Sequence, residues 1–215
     1  MATVADVTAP SQDRTEGSTD GRRRRAERNR DAVVDAILEL LREGHRHPQA
    51  AEIAERAGVS LRSVFRHFDD LQTLDAVAVQ RHGDLIAPLF LLAPPAPPKG
   101  MVAAPIGSRL DALISQRSRL YEEMAPVRAV AERRRDRSEA IQKGLERSRR
   151  ILKRQLTDLF DPELTEVPVA DRRGLVDTLE AVCSYKAWSQ LREDQKLSVP
   201  RSEAAMRRAL AALLG

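Results

Sequence analysis

Residues 49–68, QAAEIAERAGVSLRSVFRHF, decide how this chain is read. Ala50 to Ala57 reads as a short helix that Gly58 stops. Ser60 is well placed to cap a second helix, which runs from Leu61 to about Phe68. Each residue between has a mechanical reason. Ala54 is small, so the second helix can cross closely. Gly58 tolerates a positive φ in the turn. Ile53 and Val64 fill the wedge between the helices. This is helix-turn-helix geometry, in which the second helix enters a DNA major groove. A structural corner of a helical core is the competing reading of the same pattern. The outward residues of the second helix suit DNA. Arg62 can donate bidentately to a guanine edge, and Ser63 can bond a base or a phosphate. Arg66 and His67 can meet the backbone, as can the N–H groups at the helix start.

Working outward, Val33, Ile37, Leu40 and Leu41 fall at i, i+4, i+7 and i+8. That predicts an amphipathic helix from about Glu27 to Gly44. On the other side, Asp69 and Asp70 open a further helix with Leu71, Leu74, Val77 and Ala78 on one face, and acids at a helix start favour the macrodipole. The first 21 residues are rich in Ser, Thr, Asp, Gly and Pro without a periodic apolar face. They predict a disordered tail. Arg22, Arg23, Arg24, Arg25, Arg28 and Arg30 follow, six arginines within nine residues. Such an arm can reach phosphates or a minor groove, or stay solvated. Residues 1–26 are therefore read as tail and arm, and 27–86 as the head.

Residues 92–107 hold five prolines and two glycines. A connection is placed at 87–107, between the head and a helical body over 108–215. In the body, Pro126 predicts a kink or a new helix, and Asp161-Pro162 predicts a stop. Residues 171–196 read as one long helix with apolar residues on two faces, Leu175, Leu179 and Val182 on one, Tyr185, Trp188 and Leu191 on the other. Met206, Ala209, Leu210, Leu213 and Leu214 form the stripe of the last helix.

The 215 residues carry a net charge of only +4, with 42% apolar and 3% aromatic residues. Ala, Leu, Arg and Glu dominate, which favours an all-α fold. One cysteine, Cys183, excludes an internal disulfide and a cysteine zinc knuckle. It reads as a buried, inert thiol. His45-Arg46-His47 lacks the further ligands of a metal site. The acid pairs Asp69-Asp70 and Glu122-Glu123 point apart on a helix. No phosphate loop, dinucleotide fingerprint or nucleophile elbow occurs, so neither catalysis, cofactor nor metal is expected. With no membrane-length apolar run and no signal segment, a cytoplasmic protein is expected.

The run AAEIAERAGVSLRSVFRHFDDLQTL, residues 50–74, resembles the DNA-binding head of the TetR/AcrR family of bacterial transcriptional regulators. The family pattern is roughly IAxxAGVSxxTLYxHFxxKxxL. Here Ser63 stands for Thr, Phe65 for Tyr and Leu71 for Lys, so one hydroxyl and one cation of the pattern are missing. The resemblance covers about residues 27–86, and the C-terminal segment from Leu191 is similar to the family's ends. It implies an all-helical homodimer, usually a repressor, that leaves a palindromic operator when a small molecule binds the body. It implies DNA contacts at Gln49, Ser60, Arg62, Ser63, Phe65, Arg66 and His67, with the arm Arg22–Arg25 adding charge. Phe90, Tyr121, Met124 and Arg128 are candidates to line the effector cavity. Trp188, Leu191, Met206, Leu210 and Leu213 are candidates for the dimer interface. The two departures leave room for a helical ligand-binding or scaffold protein with a disabled head.

Overall fold

The computed structural model describes residues 16–91 and 104–215, and within them every regular element is helical. The order is α1 (Glu16–Arg42), α2 (Ala50–Arg56), α3 (Leu61–His67), α4 (Leu71–Leu91), α5 (Ile106–Arg134), α6 (Glu139–Leu159), α7 (Asp161–Glu166), α8 (Val169–Val182), α9 (Tyr185–Ser189) and α10 (Val199–Leu214). A 3₁₀ turn over Arg135–Arg137 joins α5 to α6, and a π turn over Gln190–Asp194 follows α9.

Two apolar cores organise the chain. The first collects Val33, Ile37 and Leu41 of α1, Ile53 of α2, Val64 of α3 and Leu74 and Ala78 of α4. The second collects Leu110, Leu113 and Tyr121 of α5, Leu156 and Leu159 of α6, Leu179 of α8, Trp188 of α9 and Met206 and Leu210 of α10. Two helices belong to both. Leu74 and Ala78 of α4 sit in the first core and Ile86 in the second, while Val127 and Val130 carry the end of α5 into the first. Ion pairing reinforces the joint, since Arg134 Nε donates to Asp75 Oδ2 at 2.8 Å with both side chains largely covered. A displacement of α4 or α5 is therefore felt in both cores, because packed interiors transmit strain.

Several sequence expectations change. Residues 16–26, read as the end of a disordered tail, are the first turns of α1. Ion pairs one helical turn apart favour this, Arg24 with Asp20 at 2.8 Å and Arg23 with Glu27 at 3.0 Å. The tail over residues 1–15 and most of the proline-rich connection, 92–103, lie outside the described residues. The part of that connection over 87–91 is helical, as α4 runs through Pro88 to Leu91. Likewise α5 passes Pro126 unbroken. Proline withdraws a donor from that turn, and His82 Nε2 lies 2.8 Å from the neighbouring Glu123 carbonyl.

Asp161-Pro162 ends α6 but also starts α7, with proline in its first turn, where a missing N–H costs nothing. The long helix expected over 171–196 is two helices. Ser184 breaks it by capping α9, its Oγ accepting from Ala187 N at 3.1 Å. The two apolar faces are thus explained: Leu175 and Leu179 belong to α8, Trp188 to α9.

Candidate nucleic-acid interface and cavity

The first site is built on the α2–α3 corner. Gln49 precedes α2, its N–H donating to Glu52 Oε2 at 2.6 Å and its Nε2 to the His47 carbonyl at 3.0 Å. Arg56, at the end of α2, is clasped by both oxygens of Glu43 at 2.8 and 2.7 Å, which ties α2 to the end of α1. The turn closes with Val59 N on the Ala54 carbonyl at 3.0 Å and Gly58 at φ +64°. Ser60 then caps α3, its Oγ accepting from Ser63 N at 3.2 Å. Ile53, Val64 and Phe68 are buried behind the corner.

What α3 leaves outside is specific. Arg62 and Arg66, four residues apart, share one row of the helix surface and are exposed. Leu61 and Phe65 form the adjacent row and are 45% and 47% exposed. His67 is half-buried. Burial first, then the charges of Arg66 and Arg30, hold its imidazole below the usual histidine range. Arg30 comes from α1, its guanidinium carbon 5.1 Å from the centre of the Phe68 ring. The surface therefore presents cations beside apolar groups, the combination that meets phosphates and thymine methyls in a major groove.

Ser63 departs from the expectation. It is buried, and its Oγ accepts from Arg66 Nη2 at 2.9 Å, so it orients an arginine instead of facing outward. The arm departs too. Arg22, Arg23, Arg24 and Arg25 are exposed, but in a helix successive side chains turn by about 100°. Four consecutive arginines then point around α1, and no single groove can meet them all.

The second site is a half-open apolar cavity of about 1190 Å³ between α4, α5 and α6. Phe90, Met124 and Arg128, all expected there, line it together with Ile86, Ile141 and Gln155. Tyr121 does not. It is fully buried in the second core, where its hydroxyl donates to the Cys183 carbonyl at 2.6 Å, and burial pushes its ionisation far above the ordinary tyrosine range. The contributions of α6, Gly144, Ser148 and Gln155 among them, were not foreseen. Their only sequence signal is the apolar stripe beside them, which does not say what it faces.

Three candidates for the dimer interface are corrected. Trp188, Met206 and Leu210 are 1%, 2% and 0% exposed within a single chain, spent on its own core. Trp188 Nε1 also donates to Glu122 Oε1 at 2.9 Å. Leu191 and Leu213 remain half-exposed. Among the described residues no group of three or more His, Cys, Asp or Glu side chains is arranged to hold a metal, and no helix is long and apolar enough to cross a membrane. Cys183 is buried, and burial raises its thiol above the usual range.

The arrangement can be compared with known structures. A tetR-family transcriptional regulator from Streptomyces coelicolor superposes with a TM-score of 0.63 over 87% of this chain and 80% of its own, at 21% identity. The chain has the TetR-family fold. A transcriptional regulator from Rhodococcus sp. Rha1 matches at a TM-score of 0.59, with 20% identity over 88% of this chain and 95% of its own. The multidrug binding protein EbrR, complexed with imidazole, matches at 0.56, with 17% identity over 86% and 94%. No family model and no curated protein matches the sequence.

Proposed function

We propose that this chain is a sequence-specific DNA-binding transcriptional regulator whose second site holds a small-molecule effector. The observation that carries the reading is the outward face of α3, a capped helix on a glycine turn with Arg62 and Arg66 in one row and Leu61 and Phe65 in the next. Arg62 reads a base edge. Phe65 and Leu61 meet thymine methyls or sugars. Gln49, Ser60, Arg66 and His67 hold phosphates, Ser63 steadies Arg66, and those of Arg22 to Arg25 that face the duplex add charge. The missing tyrosine hydroxyl then costs one phosphate bond without disabling the head.

The regulator acts as a homodimer through the outer faces near Leu191 and Leu213, and so meets a palindromic operator with half-sites about 34–36 Å apart. It is a repressor, released when the effector binds. EbrR, a multidrug binding protein solved with imidazole, supports a small-molecule site in this fold. A DNA partner places the protein in the cytoplasm, and the reading assigns it no catalytic role.

The test is a fluorescence-anisotropy titration at about 150 mM salt, against its own upstream intergenic DNA and duplexes selected from a random pool. Specific sites should bind about 10³-fold tighter than random duplex. Arg62→Ala should cost about 1–3 kcal/mol per half-site and relax preference at one position. Selection that enriches nothing, with Arg62→Ala indistinguishable from the parent, sinks the proposal and leaves a helical ligand-binding or scaffold protein.

A further inference from the structure

Arg117, in the middle of α5, is 1% exposed. A buried guanidinium is costly unless an anion balances it, yet no carboxylate among the described residues pairs with this one. Its Nη1 donates to Gln116 Oε1 at 2.7 Å and to Gln155 Oε1 at 2.9 Å, and Nη2 to the Leu152 carbonyl at 2.9 Å. Its Nε–H has no oxygen or nitrogen acceptor, and the neighbouring group on that side is the buried thiol of Cys183, which feels the Arg117 charge. All three acceptors are neutral. The two amides pass the polarity on, Gln116 Nε2 donating to the Leu89 carbonyl at 2.9 Å and Gln155 Nε2 to the Phe90 carbonyl at 2.5 Å. Leu89 and Phe90 lie in the last turn of α4, where carbonyls have no partner in their own helix and the dipole is negative. Arg117 thus holds the end of α4 through two glutamines.

Gln155 and Phe90 also line the apolar cavity, so the amide that accepts from Arg117 is part of the cavity wall, and the cation it meets has no carboxylate partner. We infer that the cavity takes an amphipathic acid, an apolar body with a carboxylate head, and that the head displaces Gln155 to pair with Arg117. This rests on the cavity being the effector site of the proposed regulator. Charge-assisted bonds are shorter and about twice as strong as neutral ones, so a carboxylate outcompetes the amide where an alcohol does not. Once displaced, Gln155 lets go of the Phe90 carbonyl. The end of α4 then loses one of its two clamps, and α4 leads directly to Leu74 and Ala78 in the core behind α3. A head-group exchange becomes a shift of the reading head, limited to the ligand's differential affinity for the two arrangements.

The experiment uses the full chain, with decanoate and uncharged 1-decanol as probes in isothermal calorimetry. Decanoate should bind about tenfold tighter or more, the difference between a charged and a neutral hydrogen bond. Gln155→Glu supplies an internal carboxylate to Arg117. It should weaken decanoate about tenfold more than it weakens decanol. Arg117→Met should abolish the preference, and Gln155→Glu keeps the question open to test if that variant fails to fold. Decanoate should also weaken binding to selected DNA, within the roughly 5–150-fold range of such couplings. Equal affinity for the two probes, equal loss of both in Gln155→Glu, or no binding of decanoate each overturns the inference. DNA binding by the ligand-free protein is measured alongside. If it persists, only the acid reading has failed; if it is absent, the regulator reading fails on its own.

Discussion

Replacing Gly58 by alanine isolates one backbone angle. Gly58 sits at φ +64°, in the left-handed region, and an ideal Cβ built there meets nothing within 4 Å. The cost of a side chain is therefore conformational and not steric. For an L-residue the left-handed conformation costs roughly 1–2 kcal/mol, and alanine also removes backbone freedom from the unfolded chain, which offsets a few tenths. A net loss of about 1–1.5 kcal/mol follows. At roughly 2–4 °C per kcal/mol for a chain of this size, Tm falls by about 2–6 °C. Asparagine tolerates the left-handed region, so Gly58→Asn should lose less than Gly58→Ala despite being larger. Calorimetry of the three proteins ranks them. A neutral Gly58→Ala would mean the turn is not left-handed in solution. A larger loss for asparagine than for alanine would mean that space, not φ, governs the position, and the account of the corner would be wrong.

Acidification supplies a second test. Burial holds His82 and His67 below the ordinary histidine range. Below about pH 6.5 the unfolded chain takes up protons that the folded chain refuses. Stability is therefore complete above that pH and declines as pH falls toward the folded values. Urea midpoints at pH 7.5 and 5.5 should differ, and His82→Gln, which can still donate to the Glu123 carbonyl, should shrink the difference; a midpoint independent of pH in the parent refutes this. Neutralising Arg22 to Arg25 should weaken DNA binding for all sequences and flatten its salt dependence by fewer than four phosphate equivalents, each about 0.9 in slope, because the helix turns some of them away from the duplex. An unchanged slope removes the arm from the interface. Leu213→Glu should dissociate the proposed dimer in sedimentation experiments at a smaller cost in monomer stability than Met206→Glu, which should unfold the chain, since Leu213 packs only partly against the second core; a monomeric parent overturns the dimer.

Much of the head is legible because its determinants are local. A small residue, a left-handed glycine and a capping serine act within two or three positions, so Ala54, Gly58 and Ser60 can be read as a corner directly from residues 49–68. The outward row of Arg62 and Arg66 follows from helical spacing alone. Ser63 lies deeper than its position suggests, because helical spacing gives a direction but not the depth of a short side chain, and Arg66 bends back to cover it. The α8–α9 break is hidden in the sequence for a related reason. Ser184 looks like a tolerable residue inside a helix, and only the orientation of Trp188 into the second core makes its capping role decisive.

By itself, then, the sequence determined the helical class, the corner and the outward row of Arg62 and Arg66, since each depends on contacts within one or two helical turns. Which apolar stripes are spent within the chain was decided only by the tertiary structure. Trp188, Met206 and Leu210 carry the same periodicity whether they face a core or a partner, and packing settled them inward. The buried network of Arg117, Gln116 and Gln155 is likewise invisible along the chain. Apart from the adjacent Gln116 and Arg117, its partners stand 27 to 65 residues apart, and a hydrogen bond depends on distance in space, which no one-dimensional spacing encodes.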